Sequence, residues 1–155
     1  MKRILSAFLA LAVSATLVFV VTSWKHGVTP VHAQGGCSVA TLKGPYAFKD
    51  PGFTTPGRSV NGATVFPFAA MGVEAFDGAG NVSASYTLVT NGAISAGLTG
   101  SGTYTVNSDC TGSVSFTTGD AAGLTFNIAI IGGGTETFGI HTSSGITGAL
   151  DAKKQ

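Results

Sequence analysis

Few residues in this chain can do acid–base chemistry. Only 10% of the 155 residues are charged, against about a quarter in an ordinary soluble domain. His141 is the only histidine beyond residue 33, so an imidazole base in that part of the chain must be this one. Alternation along its segment groups His141 with Thr137 and Gly139, opposite Phe138 and Ile140. That grouping predicts an exposed strand histidine.

Glu74 is the more suggestive carboxylate, because it interrupts an apolar segment in register with Phe66, Phe68 and Phe76. If that aromatic face points inward, desolvation raises the Glu74 pKa and suits it to exchange a proton with a bound molecule. If Val65, Ala69, Met71 and Val73 form the inner face, Glu74 is solvated. The rarity of lone buried carboxylates favours the solvated reading. Tyr46, Tyr86 and Tyr104 are the three hydroxyl-bearing aromatics, and alternation assigns Tyr86 and Tyr104 to the interior. They fit either core packing or hydrogen bonding to a ligand.

Common catalytic and metal motifs are missing from the sequence. Asp77 with Gly78, Gly80 and Asn81 offers one carboxylate where a calcium loop needs several, so it reads as a turn. Gly132-Gly133-Gly134 has neither the lysine nor the following helix of a phosphate cradle. No Gly-x-Ser-x-Gly, His-Glu-x-x-His or metal-spaced cysteine pair occurs. No metal and no cofactor are expected. Without a cluster of Lys and Arg, nucleic acid is not an expected partner.

The N-terminus reads as an export signal. Lys2 and Arg3 precede an uncharged apolar run at 4–21, and Val31-His32-Ala33 offers a cleavage site. An uncleaved inner-membrane anchor is the competing reading, since the run approaches the length of a spanning helix. The organisation expected is a signal peptide at 1–33 and one domain at 34–155. That domain carries 5 basic and 7 acidic residues, a net charge of −2. Its destination is periplasmic or extracellular, where Cys37 and Cys110, the only cysteines, are expected to form a disulfide.

Glycine, serine and threonine fill 50 of the 122 positions from residue 34 onward, and no helical periodicity survives among them. Period-two segments separated by turn residues predict strands near 41–48, 65–76, 82–90, 103–107, 114–116, 124–131, 136–142 and 146–150. Irregular loops are expected at 49–62 and 91–100. The fold expected is all-β, an antiparallel meander of about eight strands closed as a small barrel. A sandwich is the alternative.

Cys37 with Leu42-Lys43-Gly44-Pro45-Tyr46-Ala47-Phe48, then Phe76-Asp77-Gly78-Ala79-Gly80-Asn81, then the segment from Gly102 through Asp109-Cys110-Thr111-Gly112 resembles a group of small secreted bacterial proteins. The resemblance supports the disulfide and implies no activity. In architecture alone, the expected barrel is similar to lipocalin-like and allene-oxide-cyclase-like or dirigent-like barrels, which hold apolar small molecules.

The leading expectation is an exported barrel that binds an apolar or aromatic small molecule, with Phe66, Phe68, Phe116, Phe126 and Phe138 among its lining. An interior cavity of about 300 Å3 or more is the size such a role ordinarily needs. One alternative is an isomerase or cyclase using Glu74 with Tyr86 or Tyr104. Another is a surface or matrix protein associating through strand edges.

Overall fold

The computed structural model describes residues 36–55 and 65–155. The leader and the Pro56-Gly57 and Asn61-Gly62 turns lie outside the described residues. A 3₁₀ turn at Val39–Thr41 leads into eight strands: β1 Lys43–Thr54, β2 Phe66–Asp77, β3 Asn81–Thr90, β4 Ala93–Val106, β5 Thr111–Gly119, β6 Thr125–Ile131, β7 Glu136–His141 and β8 Ile146–Lys154. Each pairs antiparallel with the next, and β8 pairs with β1, closing the barrel. Closure satisfies the backbone groups that an open sheet would leave at its edges. Among the described residues, β4 pairs only with β3 before Gly100, which leaves residues 93–99 without a strand partner on their other side.

Turn chemistry sets the register. Asp77 accepts hydrogen bonds from the Ala79 and Asn81 backbone and from the Asn81 side chain, which hold its carboxyl down at about 2. Asn91 and Gly92, with φ of 49° and 85°, make a two-residue turn with both residues left-handed, the geometry that joins twisted antiparallel strands. This corrects the loop expected at 91–100, because pairing resumes immediately at Ala93 opposite Thr90. The loop expected at 49–62 is corrected in part: β1 runs on through Asp50, Pro51 and Gly52. Pro51 has no donor to give, but Asp50 and Gly52 still face their partners on β2 and the ladder continues past it.

One end of the barrel is packed solid. Leu42, Tyr46, Phe76, Val82, Tyr104, Val114, Ile128 and Ile130 form its core, with Phe76 edge-on to Tyr46 and Tyr104 at centroid distances of 5.3 and 4.9 Å. The 3₁₀ turn plugs this end. Cys37 is bonded to Cys110 in the β4–β5 turn, as expected, and the Tyr104 hydroxyl is 2.8 Å from the Val39 carbonyl and 2.9 Å from that of Leu42. Tyr46 donates to the Gly134 carbonyl. The glycine triplet thus serves a turn in which all three residues take positive φ. Among the described residues no helix is long and apolar enough to cross a membrane.

Candidate functional site

The other half of the barrel is hollow. A cavity of about 180 Å3 is walled by aromatic and aliphatic side chains, chiefly Phe48, Phe68, Tyr86, Phe116, Phe126 and Leu124. Asp50, Glu74 and His141 interrupt this wall, and Asp120 lies at its margin.

Strand alternation places the polar groups. On β2 the inner face carries Phe68, Ala70, Glu74 and Phe76, all buried, whereas Met71 on the outer face is 67% exposed. The solvated reading of Glu74 is thereby corrected: the residue is 4% exposed. Desolvation, reinforced by the nearby Asp50 charge, pushes its carboxyl up to about 8. Among the described residues no hydrogen bond reaches that carboxyl.

His141 is also corrected. Its side chain is only 2% exposed, while Phe138 and Ile140 stand on the outer face at 42% and 59%. The alternation along β7 was legible, but its inner side was not, because the apolar pair is the one turned to solvent. Phe138 therefore does not line the interior. His141 lies 4.2 Å from the Phe126 ring and 5.8 Å from that of Phe68, centroid to centroid. Its Nε2 and Asp50 Oδ2 are 2.9 Å apart. Asp50 Oδ1 and His141 Nδ1 have no partner among the described residues.

Of the expected lining residues, Phe68, Phe116 and Phe126 reach the cavity, as does Tyr86. Phe66 occupies the same face of β2 but lies beyond the cavity wall, and Tyr104 belongs to the packed end with its hydroxyl already engaged. This corrects the pairing of Glu74 with a Tyr104 donor. Burial and the Asp120 charge raise the Tyr86 hydroxyl above its ordinary value. The sequence reading missed Asp50 and Asp120, because both fell in segments assigned to loops or turns. Pro51 hid the continuation of β1; the inward position of Asp50, two places after Phe48, was its only sequence signal.

The fold and site define a closed eight-stranded meander with a small apolar interior lined by the Asp50, Glu74 and Asp120 carboxyls and the His141 imidazole. Scans of family models, curated proteins and solved structures return no match to this chain. Among the described residues no group of three or more His, Cys, Asp or Glu is arranged to hold a metal ion.

Proposed function

We propose that this protein is an exported carrier or receptor that holds one compact, largely apolar molecule inside the barrel. The observation that carries the reading is the contrast between a packed end and an apolar cavity within the same barrel. At 180 Å3, the cavity is below the roughly 300 Å3 at which ordinary ligand pockets begin, so the expected occupant shrinks accordingly. A dry apolar cavity of about 150 Å3 is enough for benzene. A single-ring molecule is the class that fits. The charged start, apolar run and cleavage site at residues 1–33, together with the Cys37–Cys110 bond, support export.

Native mass spectrometry of the protein from its own exported fraction, paired with toluene titration followed by aromatic side-chain NMR, tests this reading. Toluene is expected to shift Phe68, Phe116 and Phe126 saturably, and a single-ring molecule is expected to co-purify. Absence of both an occupant and saturable shifts overturns it.

Proton transfer on such a molecule is a second reading, favoured by one observation: Glu74 lies on the cavity wall and keeps its proton to about pH 8. Unchanged turnover of an identified substrate by Glu74→Gln excludes it.

A further inference from the structure

The cavity wall is apolar except for a few groups whose hydrogen-bonding capacity is unequally committed. Asp50 Oδ2 is engaged with His141 Nε2. Asp50 Oδ1 accepts no hydrogen bond from any described residue. The Glu74 carboxyl is buried on the cavity wall, and no hydrogen bond from another described residue reaches it. A buried donor without a partner carries a desolvation cost that a ligand acceptor can relieve.

We propose that the cavity selects neutral single-ring molecules bearing a carbonyl or similar oxygen acceptor, to which the Glu74 carboxyl donates. This rests on the ligand-binding reading above and names the chemistry of the occupant. Among the described residues no lysine or arginine lines the cavity. An anionic ligand would meet the Asp50 and Asp120 carboxyls, with His141, engaged through Nε2 and unpartnered at Nδ1, as the counter-group. Burying such a charge beside two carboxyls costs more than burying a neutral acceptor.

The titratable groups around Glu74 are Asp50 and Tyr46 on β1, Tyr86 on β3, Tyr104 on β4, Asp120 after β5 and His141 on β7. Desolvation holds the Glu74 proton in place up to about pH 8, which keeps the donor available at neutral pH.

Three probes of one shape separate the possibilities: acetophenone with an acceptor, cumene without one, and the benzoate anion. Their affinities for the intact protein are measured by NMR titration in wild type, Glu74→Leu and Glu74→Gln. Acetophenone is expected to bind Glu74→Leu about 3- to 10-fold more weakly than wild type, the range of one neutral hydrogen bond. Cumene is expected to be unchanged, and Glu74→Gln, which keeps a donor, to retain most acetophenone affinity. Benzoate is expected to bind wild type at least 10-fold more weakly than acetophenone.

A second measurement needs no folded leucine variant. Wild-type affinity for acetophenone is expected to fall several-fold between pH 7 and 9.5 as the donor ionises, while Glu74→Gln stays flat. Cumene binding with acetophenone indifferent to both Glu74 and pH, or with benzoate binding equally well, overturns the selectivity and leaves the cavity reading intact. Failure of all three probes to bind overturns both.

Discussion

Asp50 and His141 meet across a strand that neither belongs to. Asp50 is on β1, His141 is on β7, and β8 runs between them, yet Oδ2 and Nε2 are 2.9 Å apart. Gly148 on β8 makes the approach possible. A Cβ there would stand 3.2 Å from His141 Cδ2 and 2.9 Å from the Pro51 carbonyl oxygen. The imidazole thus reaches β1 over a glycine.

Gly148→Val is expected to break this pair and lower stability by roughly 3 kcal/mol, since it adds volume against backbone and displaces a buried polar group. Urea denaturation gives the stability loss, and the His141 ring resonances report the displacement. An unchanged midpoint with unshifted resonances would show that β8 accommodates the side chain.

His141→Phe leaves Asp50 buried with neither oxygen partnered among the described residues, and a loss of roughly 3 to 5 kcal/mol is expected. The double replacement Asp50→Leu/His141→Phe is expected to return to within about 1 kcal/mol of wild type, because a buried polar pair exchanged for apolar groups of similar size is often near neutral. A double-mutant cycle with coupling under about 0.5 kcal/mol would contradict this.

Stability is expected to fall as pH rises from about 4.5 to about 8. In this window the unfolded Glu74 has released its proton, whereas the folded residue retains it. The native state therefore binds more protons, and this residue contributes a slope of up to about 1.4 kcal/mol per pH unit. Below the window both states are protonated and above it both are ionised, so the contribution levels off. Chemical denaturation at unit pH steps, compared with Glu74→Gln, isolates the effect; equal slopes in the two proteins would refute it.

Cys37→Ser/Cys110→Ser is expected to lose about 4 kcal/mol, the chain-entropy value for cross-linking residues 73 apart. The 3₁₀ turn that caps the packed end should loosen first, which hydrogen exchange at Leu42 would register. Protection at Leu42 unchanged from the oxidised protein would assign the cap to Tyr104 and its two carbonyl acceptors instead.

The meander was readable in the sequence because turn residues and period-two alternation are local. Asp77-Gly78-Ala79-Gly80-Asn81 and Gly132-Gly133-Gly134 announce reversals through their own backbone preferences, and both fall between strands. Asn91-Gly92 carried the same signal, but the Gly-, Ser- and Ala-rich segment after it has little β preference of its own. Pairing with β3 makes it a strand.

The sequence by itself determined the all-β architecture, the alternation along each strand and the availability of one cysteine pair, because these follow from local backbone preferences and composition. The tertiary structure alone decided which face is inside. Alternation is symmetric between faces, so β2 and β7 present equally consistent choices until closure assigns them. Closure turns Phe138, Ile140 and Met71 outward, and Glu74, His141 and Asp50 inward. It also brings Asp50 and His141 together across 91 residues of chain: a distance that no local pattern encodes, set by the register of β8 with both neighbours and the missing side chain at Gly148.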